Sequence, residues 1–370
     1  MAEQRIPPTT PRRSSNGVSL GVASPASHQN HSTLAHFNPD DDEIVPGDDD
    51  EGFRDADNDD GYESDVSFRS TRTQSLTPSV RDYVFQDGRR YHAYREGRYH
   101  FPNDQPEQDR ELVKHDVMLI LNGERLHSAP LRNPQSILDV GTGIGAWADE
   151  MGEEYPGAYV VGIDLSPIQP EYLPPNVRFI IDDAERPWAD PPNTLDFVRL
   201  GNMAPSIRDW PTLFERAYTS LKPGGWIELH EFRWVYGCDD GTMPPGFVPV
   251  RMVANLTEAL AMSGVDMNAA ERNPARLDAA GFVNISHQVK KVPVGQWPQN
   301  EVWKLIGSLV HRIIYDGLEA ITLRPFTQLL GWSSEEVSSF LDEVRRDLSN
   351  PSVHSYVYFH VLTGQKPLYG

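Results

Sequence analysis

The chain has 370 residues, among them 31 prolines and a single cysteine, and its formal net charge is -21. This acidic balance argues against a broad nucleic-acid surface, which needs Lys and Arg to replace phosphate counterions, and the lone Cys238 excludes an internal disulfide. The N-terminal residues lack the apolar core of a signal peptide, and no later run approaches the ~20 apolar residues of a membrane helix. We therefore expect a soluble intracellular protein.

Residues 1–80 have the composition of an unfolded segment. They are rich in Ser, Pro, Thr, Asn and Asp, carry acidic clusters at 40–43 and 48–51, and show no periodic apolar pattern. Such a segment cannot bury enough apolar surface to offset its chain entropy. We predict a disordered acidic tail over 1–80 and a folded domain over 81–370.

Aromatic and arginine side chains alternate at the start of the predicted domain. Six Phe or Tyr residues fall between Tyr83 and Phe101, interleaved with Arg89, Arg90, Arg95 and Arg98. Stacking rings and guanidinium groups are also typical of single-strand nucleic-acid platforms. An amphipathic helix is predicted directly after them, over 107–121, so we interpret this stretch as the lead-in to the folded domain.

An apolar run that ends in three alternate glycines follows. Residues 137–145 read ILDVGTGIG, the pattern of a buried parallel strand and a tight turn at the start of a helix. The pattern predicts a cofactor loop. Its spacing is not the Gly-x-Gly-x-x-Gly of the dinucleotide fingerprint.

Carboxylates follow the next two predicted strands. The run at 158–163 ends in Asp164, about where a doubly wound sheet places the acid that accepts both ribose hydroxyls. The run at 177–181 ends in Asp182 and Asp183, a suitable place to accept a hydrogen bond from an adenine amino group. The glycine loop and these acids together indicate a nucleoside-containing cofactor.

Two later stretches complete the pattern. The run at 195–200 predicts a fourth strand, and residues 221–229 read LKPGGWIEL, a helix end and turn before a fifth strand. With these stretches the chain resembles the class I S-adenosylmethionine-dependent methyltransferases. The resemblance implies an α/β, Rossmann-like fold, with a mostly parallel seven-stranded sheet and helices on both faces, and S-adenosyl-L-methionine as the cofactor.

In that family the glycine loop holds the methionine part of the cofactor, and acids after the second and third strands hold the ribose and the adenine. The residues that the resemblance assigns are Asp139, Gly141, Gly143 and Gly145 for the loop, Asp164 for the ribose and Asp183 for the adenine. An NAD-dependent oxidoreductase is an alternative that the loop spacing and the Pro-Gly-Gly turn disfavour.

Three short sequence motifs narrow the resemblance to one group of methyltransferases. Residues 88–94 read GRRYHAY, 101–104 read FPND and 206–210 read SIRDW, as in the fungal methyltransferases typified by the velvet-associated regulator of secondary metabolism. This resemblance implies that the lead-in folds over the cofactor cleft, with Tyr91 or Tyr94 covering the methionine side. It also implies velvet-type regulatory partners, a cytoplasmic or nuclear location, and a protein or small-molecule methyl acceptor.

The C-terminal part contains an insertion before the last strand. Helices are predicted over 248–262 and 268–280, then a strand over 282–294, helical patterning within 297–350 and a last strand over 355–362. Open α/β folds bind ligands at the C-terminal edge of the sheet, so we predict that the insertion forms a lid there.

Transfer to an oxygen or nitrogen acceptor requires a base. His230 and Glu231, at the end of the fifth strand, are the candidates, and alternation places them on opposite faces.

After the fourth strand, Asn202 or Met203 is a candidate contact of the cofactor, and the Asn/Asp-Pro-Pro-Tyr signature of enzymes acting on planar amines is missing. No metal-ligand spacing and no phosphate loop are present. A cofactor-binding scaffold with little turnover is the alternative to an enzyme.

Overall fold

A computed structural model describes residues 37–40, 43–47 and 83–369. The architecture below is that of the residues from Asn38 onward, which form one unit. The predicted disorder of residues 1–80 falls for the most part outside the described residues.

Seven strands form one sheet in the order β5-β4-β3-β6-β7-β9-β8, which confirms the predicted fold class. Strands β3 to β7 are parallel, and β9 runs antiparallel to both of its neighbours. A separate two-stranded hairpin, β1–β2, precedes the sheet. The bounds are β1 Tyr83–Gln86, β2 Arg89–His92, β3 Ser136–Val140, β4 Tyr159–Asp164, β5 Val177–Ile181, β6 Leu195–Gly201, β7 Leu221–Gly237, β8 Val283–Pro293 and β9 Tyr356–Gln365.

Helices cover both faces of the sheet because its central strands are apolar on both sides. Successive residues of a strand point to opposite faces. Ile137 packs in a core with Trp147, while Leu138 packs in a second core with Phe214, and all four side chains are buried. The continuous apolar runs in the sequence are therefore explained by burial from two directions.

The helices lie close to where the sequence places them. Their bounds are α1 Gln105–Leu121, α2 Ala146–Glu154, α3 Trp210–Ser220, α4 Val248–Met262, α5 Ala269–Ala279, α6 Glu301–Gln328 and α7 Ser334–Leu348. Local capping fixes their starts: the Asp104 carboxylate accepts the Glu107 N–H at the start of α1, and Ser333 and Glu336 form a capping box at α7. No helix in the described part of the chain is long and apolar enough to cross a membrane.

The insertion before the last strand is helical, as predicted, and consists of α6 and α7. Helix α6 packs against α1, α4 and α7. It approaches α1 closely at Gly317, where an added Cβ would lie 3.0 Å from Cδ of Arg110. None of the residues that line the cleft described below belongs to 297–350. In this structure the insertion packs behind α1, and its role as a lid stays a prediction.

A short piece of the predicted tail pairs with the start of the insertion. The Gly47 N–H donates to the Trp297 carbonyl at 2.5 Å, and the Gln299 N–H donates to the Val45 carbonyl at 2.6 Å. The backbone of these few residues thus pairs with another segment of the chain, and the disorder of residues 1–80 stays a prediction.

Candidate functional site

A cleft lies at the carboxyl ends of β3 to β6, beside the point where the strand order reverses between β3 and β6. Open α/β sheets bind ligands at such switch points. The cleft and the solvent-open space in front of it together measure about 920 Å³. Its walls come from the lead-in segment (residues 83–104), from α1 and from the loops after these four strands.

The glycine loop forms the floor of the cleft. Gly141 and Gly143 line it, and a Cβ built on Gly143 meets no atom within 4 Å, so the backbone there faces open space. Gly143 has φ +56°, a region in which other residues are strained. Gly145 does not line the cleft; a Cβ there would lie 2.5 Å from Cζ of Phe179, so this glycine permits close packing of the helix start on β5.

Asp139 is fully buried beneath the loop and does not line the cleft. Its carboxylate accepts the Thr142 hydroxyl at 2.7 Å and pairs with Arg199 at 3.0 Å. Its contacts in this structure hold the loop, because the side chain is fully buried and both of its partners lie inside the protein. The resemblance assigned Asp139 to the cofactor loop, and here it acts through the conformation of that loop.

Asp164 ends β4 and lines the cleft. Its carboxylate accepts the Gly143 N–H at 2.9 Å and the Ser166 N–H at 2.8 Å. Burial raises the pKa of Asp164 to about 6, although these two N–H groups act in the opposite direction. Each carboxylate oxygen accepts two hydrogen bonds, so acceptor capacity is left for a ligand hydroxyl.

Asp182 and Asp183 line the far end of the cleft, and the lead-in segment covers them. Arg95 and Arg98 form ion pairs with the Asp183 carboxylate, and the Tyr94 hydroxyl donates to Asp182 at 3.4 Å. The sequence predicted Asp183 at this end of the cleft but did not predict its ion pairs with Arg95 and Arg98, because more than eighty residues separate the partners.

Asn202 lies where β6 leaves the sheet, with φ +54°. Asn and Asp adopt this left-handed conformation more readily than other non-glycine residues. Its N–H donates to the His230 carbonyl at 2.7 Å, and its buried side-chain oxygen has no hydrogen-bond partner. Asn202 and Met203 both line the cleft, and contact of either with the cofactor stays a prediction.

A charged row on α1 forms the wall opposite the loop, and the sequence analysis did not identify it. Glu107, Glu111 and Lys114 line the cleft, and the Lys114 ammonium lies 2.6 Å from a Glu111 oxygen. Burial lowers the pKa of Lys114, while the charges of Lys114 and Arg110 outweigh burial at Glu111 and lower its pKa. In the sequence, the i, i+4, i+7 spacing of these three residues indicates that they share one face of the helix. A solvent-exposed helix face shows the same spacing, so the sequence does not distinguish the two.

Two aromatic residues are not where the resemblance implied. Tyr91 is 2% exposed and does not line the cleft; its ring lies under the Arg324 guanidinium, 4.5 Å from the centroid. Tyr94 contacts Asp182 at the far end instead of the methionine side. The tyrosine that lines the cleft is Tyr99, whose pKa burial raises well above the ordinary value.

The two candidate bases do not line the cleft either. His230 is 3% exposed and its Nε2 lies 2.6 Å from Glu228, which also accepts the Ser128 and Ala129 N–H groups. Glu231 accepts the Met203 N–H at 2.8 Å, and burial raises its pKa to about 7. Both candidates face the protein interior because β7 is covered on both faces. Strand alternation predicted only that they lie on opposite faces, not that both faces are covered.

Among the described residues, no group of three or more His, Cys, Asp or Glu side chains is placed to hold a metal ion. The hydrogen-bond acceptors of the cleft instead fit a nucleoside: a carboxylate beside a glycine backbone, a pair of adjacent acidic residues and an unpartnered amide oxygen. The open space at Gly143 leaves room for the ligand to contact the loop backbone.

The profile of a protein family described as a methyltransferase domain matches residues 113–235. The chain is 44% identical over 296 residues to "Methyltransferase pytC" of Aspergillus terreus, which covers 79% of this chain and 91% of that protein. It is 36% identical to "Secondary metabolism regulator LAE1" of Cochliobolus heterostrophus, over 78% of this chain and 97% of that protein. It is 32% identical to "Protein-methionine methyltransferase laeA" of Emericella nidulans, over 76% of each chain.

These similarities extend well beyond the matched domain, and they agree with the strand order and with the position of the cleft. The cofactor of this family is S-adenosylmethionine, and the alternative of an NAD-dependent oxidoreductase is wrong. The chain belongs to the family of S-adenosylmethionine-dependent methyltransferases that includes pytC and the LaeA-type regulators of secondary metabolism.

Proposed function

We propose that the cleft binds S-adenosylmethionine with its ribose on Asp164, its methionine part along Gly141 and Gly143, and its adenine toward Asp183. The carboxylate of Asp164 has remaining acceptor capacity beside the Gly143 backbone, which supports the assignment of the ribose. The unpartnered oxygen of Asn202 is placed to accept a further N–H from the cofactor.

We infer that the methyl acceptor is a thioether, the methionine side chain of a protein. One observation carries this inference: of the described residues that line the cleft none is a histidine, and His230 and Glu231 are engaged elsewhere. The laeA relative is named as a protein-methionine methyltransferase, which agrees with it. When bound, S-adenosylmethionine supplies a methyl group on a sulfonium for in-line displacement. A thioether sulfur carries no proton, so its methylation requires no base.

The contribution of the chain is then positioning and exclusion of water. The ion pairs between Glu111, Lys114 and Arg110 keep the wall of α1 charged but internally balanced. A neutral thioether approaching this wall meets no unpaired charge. A cationic amine acceptor would have to lose a proton first, and these paired groups are poor recipients for it.

The test uses the full chain with methyl-labelled S-adenosylmethionine and, separately, the protein and metabolite fractions of a cell extract. We expect label in protein, located by peptide mass spectrometry on methionine, and no label when the chain carries Gly143→Glu. Label found only in solvent-extractable metabolites would contradict the thioether proposal and leave the cofactor assignment intact.

A small molecule with an oxygen or nitrogen acceptor is the second candidate. The observation that favours it is the Glu107 carboxyl, which is 4% exposed and lines the cleft, but which would have to give up its ion pair with Arg110 to receive a proton. The pH dependence separates the two candidates. Thioether transfer at saturating cofactor is independent of pH above neutrality, whereas transfer to a protonated acceptor rises with pH until the base is ionised.

We also infer a cytoplasmic or nuclear location and association with velvet-type regulatory proteins. The support is the naming of relatives as secondary metabolism regulators, and the net charge of -21, which disfavours direct binding to nucleic acid. Affinity purification of the tagged chain from its own cells, with fluorescence imaging of the same strain, tests both. We expect regulatory proteins among the co-purified partners, and their absence under mild salt would contradict the inference.

A further inference from the structure

Three buried basic side chains lie together beside the cleft, between the lead-in segment and α6. We call His92, His100 and Arg324 the cationic cluster; their exposed fractions are 1%, 6% and 4%. None of them lines the cleft itself, but the His92 ring lies 6.2 Å from that of Tyr99, which does. The cluster is therefore separated from the cleft by one aromatic side chain.

Four nitrogen atoms of the cationic cluster have no hydrogen-bond partner. They are both ring nitrogens of His92, Nδ1 of His100 and Nη1 of Arg324. The Arg95 backbone lies close enough to the His92 ring to oppose the lowering of its pKa, although outside hydrogen-bond geometry, and Nε2 of His100 is 3.0 Å from the Ser263 hydroxyl. Buried polar groups in folded proteins are nearly always paired, so several at one place indicate a missing partner.

Of the three side chains, Arg324 has the greatest need of a hydrogen-bonding or charged partner, because its charge is permanent. Its guanidinium lies over the Tyr91 ring, and its hydrogen-bond contacts are long: Glu96 lies 3.5 Å from Nη2, and Gln328 accepts from Nε at 3.3 Å. The Glu96 contact exceeds normal hydrogen-bond length, and Glu96 itself is 56% exposed. A buried guanidinium normally engages a carboxylate through two short parallel bonds. Glu96 marks the side from which a carboxylate can reach Arg324.

The surroundings of the two imidazoles favour an anion. Burial and the charge of Arg324 lower the pKa of both His92 and His100 to about 4, and Arg208 adds to the effect at His100. Near neutral pH both rings are therefore uncharged, and each still has one N–H to donate. The cluster then carries a single positive charge, which matches a monoanion better than a phosphate dianion.

We propose that the cationic cluster binds the carboxylate of a small organic acid, with Arg324 as the charged anchor and His92 and His100 as neutral hydrogen-bond donors. The ligand enters on the side of Glu96 and displaces that side chain. The deep burial of all three groups favours a small molecule over an acidic protein segment. This site is distinct from the cofactor cleft and does not depend on the identity of the methyl acceptor.

The test titrates benzoate into the full chain by calorimetry, in the absence and in the presence of saturating S-adenosylmethionine. We expect Arg324→Gln to weaken benzoate binding at least tenfold. Arg312→Gln, on the exposed side of the same helix, should leave it unchanged. Glu96→Gln should strengthen it severalfold, because a competing carboxylate is removed. S-adenosylmethionine binding, measured in parallel, reports separately on the cofactor site.

Benzamide has nearly the same shape as benzoate but no charge. Comparing the binding of the two compounds to the unaltered chain tests the site even if Arg324→Gln fails to fold. Benzoate binding at least tenfold tighter than benzamide to the unaltered chain supports the site. Equal binding of the two, or a crystal grown with benzoate that shows only water between Arg324 and His92, would overturn it.

Discussion

The carboxyl group of a single residue, Asp164, makes cofactor affinity depend on pH. Burial raises its pKa to about 6, and the ribose hydroxyls of the cofactor need the ionised form as acceptor. Since a proton must be removed before binding below pH 6, affinity falls as pH falls. We expect the affinity for S-adenosylmethionine to decrease about tenfold from pH 7 to pH 5, measured by calorimetry.

Asp164→Asn is the control for this dependence. The amide is already neutral, so binding should be weaker at pH 7 and nearly constant between pH 5 and pH 7. An unaltered chain whose affinity does not change over that interval would show that Asp164 does not accept the ribose.

Gly143 offers a substitution that blocks the cleft and leaves the core untouched. A side chain there enters open space in the cleft, so Gly143→Glu should reduce cofactor affinity more than a hundredfold in calorimetry. Its positive φ costs about 1–2 kcal/mol in any L-residue. Gly241 has φ +79° and equally open surroundings away from the cleft, which makes Gly241→Glu the matched control. Equal affinities of the two variants would contradict the assignment of the loop.

His230 is expected to affect stability and not cofactor binding. Its removal leaves a cavity and takes away the ring that pairs with the buried Glu228 carboxylate, so His230→Ala should lower the free energy of unfolding by about 2–3 kcal/mol. Urea denaturation measures that loss, and calorimetry should find cofactor affinity within threefold of the original. A variant of unchanged stability that has lost methyl transfer would restore His230 as a catalytic base.

At the scale of elements, the lead-in segment and α1 together make the outer wall of the cleft. Helix α1 presents charged residues to the cleft and packs its other side on α6. The insertion therefore acts on the site through α1 and through the lead-in segment, which Arg324 of α6 contacts at Tyr91. The lead-in is held over the far end by Arg95 and Arg98, which pair with Asp183 and Glu185. Arg208 adds hydrogen bonds to the carbonyls of Gly97 and Arg98.

Arg98 should therefore control how fast the cofactor leaves. Arg98→Ala removes the ion pairs to Asp183 and Glu185, so we expect dissociation of S-adenosylmethionine to become about tenfold faster in stopped-flow measurements. Arg132→Ala, at an exposed position away from the lead-in, should leave the rate unchanged. If both variants release the cofactor at the original rate, the lead-in does not cover the cofactor.

At the scale of the whole molecule, cofactor binding and folding are linked because the cleft exists only in the folded sheet. S-adenosylmethionine at about a hundred times its Kd should raise the free energy of unfolding by about 2.7 kcal/mol. NAD at the same concentration should have no effect, since the loop lacks the spacing of the dinucleotide fingerprint. Denaturant titrations with each compound measure both, and stabilisation by NAD alone would contradict the family's cofactor here.

Local patterns in the sequence were enough to predict the succession of strands and helices along the chain, the glycine loop and the acids at the strand ends. These features are local: apolar runs fix β3 to β6, and the residues just after a parallel strand must lie at one edge of the sheet. Asp164 and Gly143 could be placed in the cleft for that reason.

Which other side chains face the cleft depends on contacts between segments that are far apart in the sequence. His230 turns inward because β9 and the loop at Ser128 cover β7, and Tyr91 is held under Arg324, which lies more than two hundred residues away. The wall of α1 and the cationic cluster arise in the same way, from packing between distant segments. Local pattern records whether a residue is apolar or polar, but a polar side chain can face solvent, a cleft or a buried partner, and only long-range contacts distinguish these.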